Sequence, residues 1–124
     1  RVPVRLAVAW LAAWPLTQLG LLIRPELAHY GGLSGVLHAG VAIVLTFLLI
    51  NGTRAQRAVS GAVAIGLTAK LLSEAPWGAV LRHPPEWDIA IAPLAHTTGA
   101  VAGVVCAVVA MLWPLRPETP ARHV

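Results

Sequence analysis

The sequence predicts an all-α fold, a polytopic bundle of four transmembrane helices. Hydrophobic residues make up 57% of the 124 residues, whereas charged residues make up only 11%. A soluble domain typically carries about a quarter charged residues. The apolar residues gather into four runs, each close to the roughly 20 residues that a helix needs to cross a bilayer. No ten-residue alternating pattern is present, and isolated strands cannot satisfy their backbone in lipid, so helix is the expected state.

The four predicted helices cover roughly residues 6–23, 30–50, 58–77 and 89–113. Residues that favour turns separate them. Asn51-Gly52-Thr53 closes the second helix, Pro76 ends the third and Pro114 stops the fourth. Residues 1–115 are therefore predicted to form one membrane domain, and residues 116–124 a polar cytoplasmic tail.

The arginines are distributed as membrane insertion requires. If the N-terminus is cytoplasmic, six arginines lie on the inner side and two on the outer side, the asymmetry typical of membrane proteins. The inner arginines are Arg1, Arg5, Arg54, Arg57, Arg116 and Arg122, and the outer ones are Arg24 and Arg82. The net charge of +4 therefore reflects topology. No basic run with interleaved aromatic residues is present, which argues against a nucleic-acid partner.

Two polar side chains stand in glycine-rich settings inside the apolar runs. Ser34 lies in Gly31-Gly32-Leu33-Ser34-Gly35, and His96 lies just before Gly99 and Gly103. A hydroxyl and an imidazole are costly in lipid, so each needs a partner or a chemical role. A serine and a histidine that meet can act as a nucleophile and its general base. The lone Cys106 offers neither a disulfide nor a CxxC metal site, and no metal is expected.

The predicted depths of Ser34 and His96 match. At 1.5 Å per residue, Ser34 lies about 24 Å from the inner end of its helix, and His96 about 25 Å from the inner end of the fourth. Small residues on both helices should allow a close approach. These residues are Gly35, Ala39 and Gly40 on the second helix and Gly99 and Gly103 on the fourth. We therefore expect the Ser34 hydroxyl within hydrogen-bond reach of the imidazole.

Lys70 and Glu74 are the charges in the third run, and Glu74 falls at the same calculated depth as Ser34 and His96. Two interpretations remain open. In the first, the i,i+4 spacing lets the two charges neutralise each other inside the membrane. In the second, Glu74 faces the pair as an acid that orients the histidine, or binds cationic or amide groups of a substrate.

The motifs Gly32-Leu33-Ser34-Gly35 and Ala95-His96-x-x-Gly99-x-x-x-Gly103 resemble the serine–histidine dyad of rhomboid intramembrane proteases. The string Gly-Leu-Ser-Gly-Val-Leu-His, together with Ala69-Lys70-Leu71-Leu72-Ser73-Glu74, is most similar to the rhombosortase branch. The resemblance covers about residues 30–112 and corresponds to the four C-terminal helices of that family.

This resemblance implies a multi-pass serine endopeptidase of the bacterial inner membrane, with its active site near the periplasmic side and no cofactor. Its partners would be the lipid bilayer and transmembrane protein substrates. The substrates proposed for the branch are exported proteins with a C-terminal sorting tail, made of Gly-Gly, one hydrophobic helix and a basic end.

The resemblance also implies roles for individual residues. Ser34 would be the nucleophile and His96 the general base, while the backbone N–H groups of Leu33 and Ser34 would contribute to an oxyanion hole. Gly32 and Gly35 flank the nucleophile. His38 lies one helical turn after Ser34 on the same face. Rhomboids usually place at this position a tyrosine that stacks on the catalytic histidine.

Two other function classes remain open from the sequence. A membrane protein that binds haem or a metal could use His38 and His96 as ligands on neighbouring helices. A non-catalytic rhomboid-like protein would bind transmembrane helices without cutting them. Such relatives typically lose one member of the dyad, and this chain keeps both Ser34 and His96.

Overall fold

A computed structural model describes residues 3–24, 33–78, 81 and 92–113 of the chain, and these residues form an all-helical structure. Its four helices are α1 (Val4–Gly20), α2 (Ser34–Asn51), α3 (Arg54–Ser73) and α4 (Pro93–Leu112). A 3-10 turn, Leu21–Ile23, continues α1. The all-α prediction is therefore confirmed. Gly32 and the predicted tail at 116–124 lie outside the described residues.

The third helix lies four residues earlier in the chain than the predicted 58–77. Thr53 begins it with a capping box, in which its hydroxyl accepts from the Gln56 backbone N–H and the Gln56 side chain accepts from the Thr53 N–H. At the other end, Ala75 has a φ of 47°. Ala75 precedes Pro76, and the residue before a proline is disfavoured in helical geometry, so the helix ends before this pair.

Three of the four helices are long and apolar enough to cross a membrane, namely α1 with its 3-10 turn, α2 and α4. The remaining helix, α3, is not among them. It carries Arg54, Arg57 and Lys70, and Ser60 is its one buried residue. The prediction of four transmembrane helices is therefore confirmed in part, because the described residues form four helices and three of them have the required length and composition.

Helices α1, α2 and α4 form the core of the structure, and the largest interface joins α2 to α4. Side chains from all three helices fill it, including Leu6 of α1, Ile43 of α2 and Ala107 of α4. In contrast, α3 packs mainly along α2 and touches α4 very little. The described fold is therefore a three-helix core with one peripheral helix.

The α2–α4 interface is close enough to bring backbone against backbone at two levels. A Cβ atom on Gly99 would overlap the carbonyl of Gly35, and one on Gly103 would overlap the carbonyl of Ala39. We call these four residues the glycine seam. Gly40, which was expected to face α4 as well, turns instead toward α1, where an added Cβ would lie 3.1 Å from the Trp10 ring.

Candidate active site

The N-terminal ends of α2 and α4 meet the C-terminal end of α3, and a cluster of polar side chains lies there. Ser34 is the first residue of α2, and His96 lies in the first turn of α4. Glu74 directly follows the last residue of α3. The glycine seam begins at Gly35, one residue after Ser34, so it fixes the separation of the first two side chains.

Ser34, His96 and Glu74 form a continuous hydrogen-bonded chain. The Oγ of Ser34 is 3.1 Å from Nε2 of His96, and Nδ1 of His96 is 2.8 Å from Oε2 of Glu74. The expected contact between the hydroxyl and the imidazole is therefore present. The side chain of His96 is only 9% exposed and that of Glu74 only 18% exposed, so water competes little with these bonds.

Lys70 joins this chain from the preceding turn of α3. Its Nζ lies 2.5 Å from Oε1 of Glu74 and 3.3 Å from Nε2 of His38. The Lys70 side chain is 49% exposed, so it is the member of this cluster that lies between Glu74 and the solvent. The two interpretations of the Lys70–Glu74 pair therefore do not exclude each other, because one oxygen of Glu74 accepts from Lys70 and the other from His96.

His38 supports His96 from the side. The two imidazole rings stack with their centroids 4.2 Å apart and their planes 14° from parallel. Nδ1 of His38 lies 2.7 Å from the backbone carbonyl of Ser34, one turn earlier in α2. His38 thus contacts the residue that carries the hydroxyl and also the ring that faces it. This is the stacking position that the resemblance assigned to an aromatic residue.

Backbone amide groups at the start of α2 lie beside Ser34. The Leu37 N–H donates to the Leu33 carbonyl at 3.1 Å, which is the first helical bond. The N–H groups of Ser34, Gly35 and Val36 precede it and have no acceptor within the helix. No side chain among the described residues caps this helix end. The positive end of the α2 dipole therefore lies where negative charge would develop on a carbonyl attacked by Ser34.

Arg24 holds the segment that carries Glu74. Its Nη2 donates to the backbone carbonyls of Trp77 and Gly78, each at 3.0 Å, and so ties the end of the 3-10 turn to the segment after α3. In the sequence, Arg24 is informative only as one of the two arginines predicted on the outer side of the membrane. Its acceptors are backbone carbonyls more than fifty residues away, and no residue pattern encodes such a contact.

The two histidines do not fit a haem or metal site. Each ring nitrogen of His38 and His96 already faces a hydrogen-bond partner within the protein. The nearly parallel stack also points the nitrogen lone pairs past each other rather than toward a shared ion. In residues 3–24, 33–78, 81 and 92–113, no group of three or more His, Cys, Asp or Glu side chains could hold a metal ion.

No protein-family model, curated protein or solved structure matches this chain. The likeness to rhomboid proteases therefore rests on the short motifs around Ser34 and His96. The connection between Ser34, His96 and Glu74 is given by the distances of 3.1 Å and 2.8 Å that join them.

Proposed function

We propose that the protein is an intramembrane serine protease of the rhomboid type, with Ser34 as nucleophile, His96 as general base and Glu74 as the acid that orients His96. The observation that carries this proposal is the chain of contacts from Ser34 Oγ through His96 to Glu74, at 3.1 and 2.8 Å. A nucleophile bonded to a base, and a base bonded to an orienting group, is the arrangement that covalent hydrolysis requires.

The contacts suggest a sequence of proton transfers. Glu74 accepts from Nδ1–H of His96, which leaves Nε2 free to take the proton of Ser34 as Oγ attacks the substrate carbonyl. The oxyanion of the tetrahedral intermediate forms near the first N–H groups of α2, which have no acceptor within the helix. The imidazolium then gives its proton to the leaving nitrogen, and an ester on Ser34 remains. A water molecule, deprotonated by His96, hydrolyses this ester and restores the hydroxyl.

Glu74 has a specific electrostatic task in this scheme. His96 lies in the first turn of α4, where the positive end of the helix dipole disfavours a cation. The carboxylate of Glu74, at 2.8 Å, offsets this effect when His96 becomes positively charged. The low exposure of both side chains strengthens the interaction relative to one in water.

The substrate class and the location follow from the resemblance to rhombosortases. We propose that the enzyme cleaves the transmembrane C-terminal sorting tails of exported proteins at the periplasmic side of a bacterial inner membrane. The three apolar helices support a membrane location. The cluster at the ends of α2, α3 and α4 would lie near one surface, where water for the second step is available.

The nucleophile is tested by replacing Ser34 with alanine. We expect labelling by a serine-reactive fluorophosphonate, and cleavage of a reporter bearing a sorting tail, to fall by several orders of magnitude. Ser73→Ala is the matched control, because Ser73 is an exposed serine whose hydroxyl bonds the carbonyl of Lys70. Cleavage by Ser34→Ala within about tenfold of the parent would refute the proposal. Binding of a tail without cleavage by the parent would favour the non-catalytic alternative.

The topology is tested by placing single cysteines on either side of α3 in a Cys106→Ala background. Ala55→Cys reports the start of α3, and Glu86→Cys reports the segment that follows it. We expect an impermeant maleimide to label the first from the cytoplasm and the second from the periplasm. Labelling of both from one side would show that α3 does not cross the membrane and that the proposed orientation is wrong.

A further inference from the structure

Lys70 contacts two groups of the site at once, the carboxylate of Glu74 at 2.5 Å and Nε2 of His38 at 3.3 Å. A protonated lysine can only donate hydrogen bonds, so both partners must accept. A carboxylate always does. An imidazole nitrogen accepts only when it carries no proton, and the contact with Lys70 therefore constrains the protonation state of His38.

The other nitrogen of His38 agrees with this constraint. Nδ1 lies 2.7 Å from the carbonyl oxygen of Ser34, which can only accept. One proton on Nδ1 and none on Nε2 satisfies both contacts, and any other arrangement breaks one of them. His38 is thus neutral, in the Nδ1–H form. His96 can adopt the same form, in which Glu74 accepts from its Nδ1–H and the Ser34 hydroxyl donates to its Nε2.

The neutrality of His38 matters because its ring lies 4.2 Å from that of His96. In the proposed reaction, His96 becomes an imidazolium when it takes the proton of Ser34. A second imidazolium stacked on it would repel that charge and raise the barrier to acylation. A neutral, electron-rich ring in the same place favours the cation.

We propose that Lys70 is a positioning residue that holds His38 neutral, with its proton on Nδ1, so that His38 can stack on His96 while His96 becomes charged. Among the described residues, the titratable groups around His38 are Lys70, His96 and Glu74, and all belong to the same network. The catalytic consequence rests on the proposed function, whereas the effect of Lys70 on His38 does not.

The protonation state of His38 can be measured directly. In protein labelled with ¹⁵N-histidine and reconstituted in lipid nanodiscs, the ring shifts distinguish the two neutral forms from the cation, and His38→Phe identifies the signals of His38. We expect the Nδ1–H form in the parent and in Lys70→Arg, whose guanidinium is also only a donor. In Lys70→Met we expect a mixture with the Nε2–H form or the cation. An unchanged His38 spectrum in Lys70→Met would overturn the inference.

A pair of variants tests the catalytic consequence. Lys70→Met should slow fluorophosphonate labelling of Ser34 by about tenfold, the size of a coupling between contacting side chains, and Lys70→Arg should restore much of the rate. In a His38→Phe background, which keeps an aromatic ring that cannot titrate, Lys70→Met should have little further effect. An undiminished effect there would show that Lys70 acts through Glu74 instead. Failure of the parent to label would refute the proposed function, and the His38 spectrum would still decide the inference.

Discussion

The glycine seam and helix α3 hold the candidate site in opposite ways. In the seam, α2 and α4 meet backbone to backbone, and the side chains there are hydrogen atoms or a methyl group. Helix α3 lies on the outside, buries only Ser60 and scarcely touches α4 except through the cluster around Glu74. Ser34 and His96 lie on the two helices that the seam joins, whereas Lys70 lies in α3 and Glu74 directly follows it.

This difference assigns different forces to different parts of the site. Close packing fixes the distance between the hydroxyl and the imidazole, because neither helix can move without losing backbone contact. In contrast, hydrogen bonds and ion pairs hold the carboxylate of Glu74 in place. Glu74 is held by His96, by Lys70 and by the Arg24 bonds to the segment after α3. We therefore expect substitutions in the seam to lower both the stability of the fold and the activity of the site. Substitutions around α3 should change one of these properties without the other.

The largest effect is expected from a side chain added in the seam. Gly99→Leu would push against the backbone of Gly35, which cannot swing aside as a side chain can. We expect a loss of about 3 kcal/mol in the free energy of unfolding, with complete loss of fluorophosphonate labelling. Gly66→Ala is the matched control in α3. A Cβ there meets nothing within 4 Å, so stability should stay the same or rise by up to about 1 kcal/mol. Equal damage by both variants would break the comparison.

The next largest effect is expected from Glu74→Gln. A neutral amide cannot stabilise the imidazolium of His96, so the labelling rate should fall by up to about 10⁴-fold, as for the same change in a catalytic triad. Thermal unfolding followed by circular dichroism should change little, because Glu74 follows α3 and is not part of the core. Adding Lys70→Met should not restore the rate. Full activity in the Lys70→Met/Glu74→Gln double variant would show that Lys70 and Glu74 only neutralise each other's charge. The proposed catalytic groups would then be Ser34 and His96 alone.

A smaller effect is expected from Arg24→Gln. This change removes two charge-assisted hydrogen bonds to the segment after α3 and loosens Glu74 without removing its carboxylate. We expect the labelling rate to fall by about tenfold, less than for Glu74→Gln. Arg57→Gln is the control. Arg57 lies near the start of α3, at the opposite end from Glu74, and donates to the carbonyl of Ile50 in α2. A similar fall in both variants would mean that the loss of either arginine acts through general instability.

The smallest effect is expected from Thr53→Ala, which removes the capping box of α3. The loss of this N-cap should lower the free energy of unfolding by about 1 kcal/mol. Because α3 is tied to the site at its other end, labelling of Ser34 should keep the parent rate at temperatures where the protein is folded. A parallel loss of rate would indicate that the whole of α3, and not only its C-terminal end, positions Glu74.

The hydropathy pattern predicts the existence of the helices well, but it places α3 four residues too late. The apolar run extends past Ser73, and only the Ala75-Pro76 pair indicates that the helix stops earlier. The run also hides the polar start of α3, where Thr53 and Gln56 form the capping box. In such a helix, the capping residues are a better guide to its ends than hydrophobicity is.

Counting residues along each helix at 1.5 Å per residue predicts which side chains lie at the same depth, and it places Ser34, His96 and Glu74 at one depth. It does not give the rotation of each helix about its axis, which decides what a side chain faces. For this reason the Lys70 contact with His38 and the turn of Gly40 toward Trp10 could not be foreseen. The i,i+4 spacing of Ser34 and His38 did place them on one face, because rotation within a single helix is known.

The small size of the side chains in the glycine seam also has a consequence for motion. Exposed side chains exchange rotamers in picoseconds to nanoseconds, but glycine has no rotamer to exchange and an alanine methyl group only rotates in place. The backbone separation of Ser34 and His96 should therefore vary only when α2 and α4 move as whole helices, which takes microseconds to milliseconds. The half-exposed Lys70 side chain belongs to the faster regime. The proposed enzyme would thus combine a slowly moving backbone beneath the reacting groups with a fast ammonium beside them, two timescales within one hydrogen-bonded cluster.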